Sequence, residues 1–227
     1  MKILITSGGT SEPIDAVRAI TNSATGRLGA CVADTFAALE AVDGVHYLCA
    51  HDAARPAPSG KIHTHAFQTT ADLEALLDQT LAEVRPDIIV HAAAVSDYCV
   101  AQVTDAHGCV LDRREKISSS EPELHVTLTP NPKLIGRIAA QMPEAILVGF
   151  KLLDGVTREA LLAAGRGILE SNGCAFVLAN DKRDIVGDRH TAVLLGAGGE
   201  AHEYETKAQI AAGIAAHTIK EWRHRHG

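Results

Sequence analysis

At 227 residues, with 46% hydrophobic and 22% charged residues, the chain has the make-up of an ordinary globular α/β protein with a sizeable core. Its net charge of −7 disfavours nucleic-acid binding through the whole surface, so an anionic small ligand would need a local basic cluster. No apolar run approaches a membrane span, and the apolar stretch opening at Ile3 leaves no secretory leader expected. Cys31, Cys49, Cys99, Cys109 and Cys174 are widely spaced without a CxxC pair, which points to free thiols in a reducing cytoplasm.

Ile3-Leu4-Ile5 breaks at Ser7-Gly8-Gly9-Thr10, the pattern of a buried parallel strand handing over to a loop. Beyond it, Ser23-Ala24-Thr25-Gly26 precedes Leu28, Val32, Phe36 and Leu39, whose spacing is helical. A helix N-terminus behind a loop of glycines and hydroxyls offers unpaired N–H groups and a positive dipole end, a ready anion site. An ordinary strand–loop–helix is the plainer reading of the same residues.

Val45–Ala50 and the more polar Lys61–Phe67 read as strands, separated by the Pro- and Gly-rich loop 55–60. Thr70 to Glu74 opens a helix with a hydroxyl cap and an acidic first turn, and Leu73, Leu76, Leu77, Leu81 and Val84 give it an apolar stripe. Asp87–Ala94 is a buried strand that ends in small residues. From Cys99 to Glu123 periodicity is lost, as expected of a mobile flap over a site. Strands are expected at 124–128, 145–150 and 175–178, and helices after Asn131-Pro132 and from Thr157 to Ser171, the latter ended by Asn172-Gly173. Thr191–Leu195 and Ala201–Tyr204 flank a Gly-rich turn as an antiparallel hairpin, and Lys207–Arg223 forms a closing helix. The β-α-β-α-β order predicts a doubly wound, Rossmann-like parallel sheet with that hairpin and flap, in a single domain over residues 1–227. Ligands on such sheets lie beyond the carboxyl ends of the strands.

Several chemistries lack their residues. Tyr47, Tyr98 and Tyr204 are followed four residues on by His51, Gln102 and Ala208, so the Tyr-x-x-x-Lys pair of a short-chain reductase is absent. Gly8 and Gly9 do not complete G-x-G-x-x-G, and neither a Walker A loop nor a nucleophile elbow is present. His63-x-His65 lacks an obvious third metal ligand.

A set of longer motifs carries a resemblance. Gly8-Gly9-Thr10-Ser11-Glu12-Pro13-Ile14-Asp15, Val17-Arg18 and Thr21-Asn22-Ser23-Ala24-Thr25-Gly26 open it. Ala92-Ala93-Ala94-Val95-Ser96-Asp97-Tyr98, Glu115-Lys116-Ile117, Asn131-Pro132, Val148-Gly149-Phe150 and Ala179-Asn180-Asp181 follow in order. Together they resemble the phosphopantothenate–cysteine ligase (phosphopantothenoylcysteine synthetase) family, most closely its stand-alone bacterial form. Nothing in the chain resembles the decarboxylase to which the ligase is often fused.

The resemblance implies an amide-forming enzyme of coenzyme A biosynthesis, with 4′-phosphopantothenate, L-cysteine and CTP as substrates and Mg²⁺ as cofactor. It implies a homodimer, an acyl-cytidylate intermediate and release of pyrophosphate and CMP. His91, Ala92 and Ala93 would present strand-end backbone to the base, Pro132 and Phe150 would wall the nucleotide, and Asp97 would lie near ribose or metal. Gly8, Gly9, Ser23, Thr25 and Gly26 would cradle phosphates. Lys116 would bring charge from the flap to the nucleotide, while Asn22 would hydrogen-bond the acyl intermediate and, with Arg18, bind substrate. Family members often carry a helix lysine near the triphosphate. Here Arg166 is expected to keep one charge, Ser171 or Glu170 stands where a second lysine is expected, and Lys151 or Lys182 would compensate. Metal ligands are not specified. CTP over ATP rests on the resemblance alone, and an inactive nucleotide-binding paralogue is the competing reading.

Overall fold

The computed structural model describes residues 1–187 and 189–226. Strand β1 (Lys2–Ser7) buries Ile3, Leu4 and Ile5 and lies inside a nine-stranded sheet. A small antiparallel hairpin, β2 (Ser11–Pro13) with β3 (Ala19–Thr21), leads from it to α1 (Arg27–Ala37). The chain continues through β4 (Gly44–Ala50), β5 (Ile62–Phe67), α2 (Thr70–Val84) and β6 (Ile88–His91). Strands β7 (Tyr98–Thr104) and β8 (His125–Pro130) then pair with each other outside the main sheet. Next come α3 (Leu134–Gln141), β9 (Ile146–Leu153), α4 (Arg158–Asn172) and β10 (Phe176–Asp181). The short β11 (Ile185–Val186), β12 (Arg189–Gly196), β13 (Ala201–Thr206) and α5 (Lys207–His226) close the chain.

The sheet runs β5-β4-β1-β6-β9-β10 in parallel, and β12 then adds antiparallel to β10. This is the doubly wound order expected from the alternating elements, and β12–β13 is the expected antiparallel hairpin. Strand order reverses between β1 and β6, which leaves a crevice at their carboxyl ends. Helix α1 packs on α5, while α3 packs on both α2 and α4, so both faces of the sheet are covered.

Two local expectations need correction. The hydroxyl cap of α2 is Thr69, which forms a reciprocal capping box with Asp72. Thr70 is buried instead, where its N–H and hydroxyl donate to the Glu12 carboxylate at 2.9 and 2.6 Å. The flap assigned to residues 99–123 begins as strand β7, so the structure is a two-stranded arm with an irregular segment only beyond Thr104. A register shift between Val100 and Gln102 breaks the alternation that would have marked the strand. The arm has a small core of its own: Val100, Val103 and Ile117 are buried against Ile14, Leu111 and Leu124.

Candidate functional site

A cavity of about 690 Å³ opens at the switch point. It is lined from β1 by Ser7 and Gly8, from the β6 end by His91 through Asp97, from β9 by Phe150, Lys151 and Leu152, and from β10 by Asn180. A volume of this size suits a cofactor-sized ligand.

On one side lie Ser23, Ala24, Thr25 and Gly26 and the first residues of α1. Gly26 caps the helix at φ +71° with no side-chain hydrogen bond, and no acidic residue stands in the first turn. The left-handed φ favours glycine, and the missing cap leaves the first N–H groups and the positive helix end for a ligand. Arg27, the first helical residue, adds a charge to the lining. The loop is held from behind: the Ser7 hydroxyl donates to the Gly26 carbonyl at 3.1 Å, and the Ala54 N–H to the Thr25 carbonyl at 2.9 Å.

The opposite wall is the end of β6. The Ala92 N–H donates to the Thr6 carbonyl and the Ala93 N–H to the Thr6 hydroxyl, at 3.1 and 3.2 Å. Their carbonyls accept no hydrogen bond from the described residues, so this edge offers acceptors. His91 is buried with Nδ1 2.8 Å from the Thr6 hydroxyl, and burial pushes its imidazole down to about 4, so it is neutral near pH 7. Pro132, Ile135, Phe150 and Ile168 supply apolar wall. The Asn131 side chain donates to the Thr70 hydroxyl at 3.2 Å and to the Ser96 carbonyl at 3.1 Å, which ties the Asn-Pro turn to the strand end.

Asp97 lines the cavity and pairs with Lys133. Further basic residues of the lining are Lys151, Lys182 and Lys207. Arg166, expected at the triphosphate, is exposed on α4 and does not line the cavity. One helical residue faces one way only, and it is Ile168 and Asn172 of α4 that reach the lining.

Four other expected residues stand outside the lining. Gly9 lies under the Asn22 backbone, where a Cβ would collide with the Asn22 carbonyl. Asn22 does not cap α1. Its side-chain N–H donates at 3.0 Å to the Ala94 carbonyl and so holds the strand end. Arg18 pairs with the buried Asp15 and donates to the Ile117 carbonyl at 2.9 Å. Lys116 is exposed on the arm beside Ile117, away from this chain's own cavity.

The arm is tied down around Asp15. The Arg18 guanidinium and the N–H groups of Val17, Arg18 and Ile117 hold the Asp15 carboxyl far below the usual carboxylate range. Arg113 reinforces the join, donating to the Ile14 carbonyl at 3.1 Å and to the Val100 carbonyl at 2.6 Å.

His190 and Lys207 escaped the sequence reading. His190 lies on β12, is 6% exposed, and has Nε2 3.0 Å from the Asn180 side-chain nitrogen. A lone histidine before a hairpin strand gives no local signal, and only the antiparallel addition of β12 to β10 brings it to the cavity. Asn180 was legible as part of a motif, but without a role.

Fold and crevice define a class: a doubly wound α/β protein with a ligand cavity at its switch point and an anion-ready helix end. Residues 1–221 match the family described as DNA/pantothenate metabolism flavoprotein C-terminal domain, and the chain belongs to it. It is 31% identical over 195 residues to the coenzyme A biosynthesis bifunctional protein CoaBC of Thermococcus kodakarensis, covering 86% of this chain and 45% of that protein. The Mycolicibacterium smegmatis protein of the same name is 30% identical over 226 residues, 94% of this chain and 51% of that one. The chain thus spans about half the length of these relatives. The crystal structure of the DNA/pantothenate metabolism flavoprotein from Streptococcus pneumoniae superposes with a TM-score of 0.86 at 30% identity, covering 98% of this chain and 99% of that one. Cab2 mutant H337A in complex with phosphopantothenate-cysteine shares the fold, with a TM-score of 0.71 at 18% identity over 100% of this chain and 89% of that chain. These matches agree with the family resemblance carried by the motifs. No helix among the described residues is long and apolar enough to cross a membrane.

Proposed function

We propose that this chain is a ligase that joins 4′-phosphopantothenate to L-cysteine in coenzyme A biosynthesis, activating the carboxylate with CTP. The observation that carries the proposal is the cavity, where acceptor carbonyls, an uncapped helix end and several lysines face one space. Family membership and the names of the relatives support it.

In the first step a carboxylate oxygen of the substrate attacks the α-phosphorus of CTP, the bond to the β-phosphate breaks, and pyrophosphate leaves. In the second, the cysteine nitrogen attacks the acyl carbon, CMP leaves, and the amine loses a proton. The chain's part is to hold anions together, neutralise charge and exclude water. The Ala92 and Ala93 carbonyls take the exocyclic amine of the base, while Pro132 and Phe150 close on its faces. Phosphates lie against Gly8, Ser23, Thr25 and Gly26, with Lys151 and Lys182 opposite. Asn22, which stands behind the lining residue Ala94 and spends one side-chain N–H on its carbonyl, would offer the other to the acyl intermediate.

Among the described residues no group of three or more His, Cys, Asp or Glu could hold a metal ion. Asp97 is a carboxylate on the lining, which fits a Mg²⁺ that arrives on the triphosphate, since this ion takes one or two carboxylates and otherwise phosphate and water. When bound, Mg²⁺ would neutralise phosphate charge.

Lys116 acts in the cavity of a second copy. The arm supports this, for β8 is exposed along its length, and Tyr98, Val110, Val126 and Leu128 present apolar side chains to solvent. The working unit is a cytoplasmic homodimer in which residues 1–227 act as one ligase domain.

The test is pyrophosphate release from CTP. It should require 4′-phosphopantothenate, and the amide should form only when cysteine is added. CTP binding without pyrophosphate release would identify a binding-only paralogue and overturn the proposal.

A further inference from the structure

The Ala179-Asn180-Asp181 motif finds no use in the steps above. Asp181 turns back on the chain: its carboxylate accepts the N–H groups of Gly155, Val156 and Arg183 at 2.9 to 3.0 Å and so shapes the loops around the strand end. Asn180 points elsewhere, to His190. Both are buried and both line the cavity. The Asn180 side-chain nitrogen is a donor, so His190 Nε2 across the 3.0 Å contact must be the acceptor. Burial and the nearby Lys207 charge push the His190 imidazole down to about 4, which leaves it neutral with one N–H at neutral pH. That single proton therefore lies on Nδ1, and Nδ1 is buried with no hydrogen-bond partner among the described residues.

An unused buried donor is costly unless something fills it. Its surroundings say what. Lys182 follows the same strand end, Lys207 begins α5, and both line the cavity with His190. Lys207 is anchored by the Gly187 carbonyl at 2.9 Å. The Arg189–Thr206 pairing sets the start of α5 beside the start of β12.

We propose that His190 Nδ1–H, with Lys182 and Lys207, is a donor subsite for a polyphosphate anion on the β10–β12 side of the cavity, and that Asn180 is the positioning residue that fixes its tautomer. This deepens the ligase reading by naming where the departing phosphates are held, and it rests on that reading only for the anion's source.

The test uses the full chain, labelled with ¹⁵N-histidine, and inorganic tripolyphosphate as the probe. The free protein should show a neutral His190 protonated on Nδ1, and tripolyphosphate should shift that resonance saturably. His190→Phe should keep its melting temperature within a few degrees while binding tripolyphosphate about tenfold more weakly, the least expected for a hydrogen bond to a charged group. Asn180→Asp offers only acceptors and should move the proton to Nε2, weakening tripolyphosphate binding with His190 still present. A free His190 protonated on Nε2, a resonance that tripolyphosphate leaves unmoved, or unchanged tripolyphosphate affinity in a folded His190→Phe variant would each overturn the assignment. Tripolyphosphate binding is read without turnover, so this result and that of the pyrophosphate-release assay are independent.

Discussion

The Asp15 carboxylate accepts the Ile117 N–H at 3.1 Å across 102 residues of sequence, and Arg18 closes the join by donating to the Ile117 carbonyl at 2.9 Å. A residue of the first motif thus fixes the position of the residue next to Lys116.

The first prediction follows from this relationship. Asp15→Asn removes the charge that Arg18 and three backbone N–H groups hold. The arm should loosen, so limited proteolysis within residues 105–124 should proceed several times faster than in the parent chain. Pyrophosphate release should fall with it, because Lys116 loses its placement. Unchanged proteolysis would mean that Arg113 and the Val100–Val103–Ile117 core hold the arm without Asp15.

The second concerns acid. Buried His91 has an imidazole pushed down to about 4, so the unfolded chain takes up a proton near pH 6.5 that the folded chain refuses. The unfolded state then binds more protons, and stability falls as pH drops from about 6.5 to about 4. Each such histidine contributes a slope of about 1.4 kcal/mol per pH unit in that window. His91→Gln should flatten the slope by roughly that amount in urea melts at pH 4 to 7. An unaltered slope would place the titration elsewhere.

Much of the fold was legible because the strands and helices carry strong local patterns. Ile3–Ile5, the Leu73–Leu77–Leu81 stripe and Asn172-Gly173 each announce their element. The site was legible where it is built from contiguous motifs at strand ends, as at Ala92–Asp97 and Ser23–Gly26. It was not legible where the chain brings distant pieces together. Arg166 carried the right charge on the wrong side of α4, while Lys207 and His190 owe their place to the sheet's antiparallel edge. The arm's first strand was hidden because the irregularity after Val100 interrupts its alternation.

The third prediction tests the basic lining. Lys182 lines the cavity and Arg166 does not, so Lys182→Ala should weaken CTP binding by about 1.5 kcal/mol, the low end for a charged contact. Arg166→Ala should leave CTP affinity within about twofold. Isothermal titration of both variants decides it, and the reverse ranking would restore the triphosphate to α4.

The fourth concerns the base. The carbonyls of Ala92 and Ala93 accept no hydrogen bond from the described residues, while their N–H groups are committed to Thr6. Cytosine and adenine both carry an exocyclic amine, but they place it at different distances from the sugar. A pocket fitted to one leaves buried groups unpaired with the other. CTP should support turnover far better than ATP at equal concentration. Equal turnover would remove the base-reading role from this edge and leave the ligase reading standing.

The last prediction separates the two half-reactions. Activation builds negative charge around the α-phosphorus, where a lysine acts as a point charge. Lys116→Gln should therefore depress acyl-cytidylate formation itself, and pyrophosphate release should fall. At a CTP concentration too low to saturate Lys182→Ala, mixing that variant with Lys116→Gln should restore part of the activity if the arm serves the neighbour's cavity. Amide formation instead develops charge on the acyl oxygen as the amine attacks. One N–H of Asn22 holds the Ala94 carbonyl, and the other remains to donate to that oxygen. Asn22→Asp replaces both donors with acceptors and repels the developing charge. It should form the intermediate but pass it on slowly, so that acyl-cytidylate accumulates in the presence of cysteine. Rapid-quench sampling of both variants measures the two steps separately. If Asn22→Asp blocks pyrophosphate release as fully as Lys116→Gln does, Asn22 acts by holding the strand end at Ala94, and the division between the two residues is wrong.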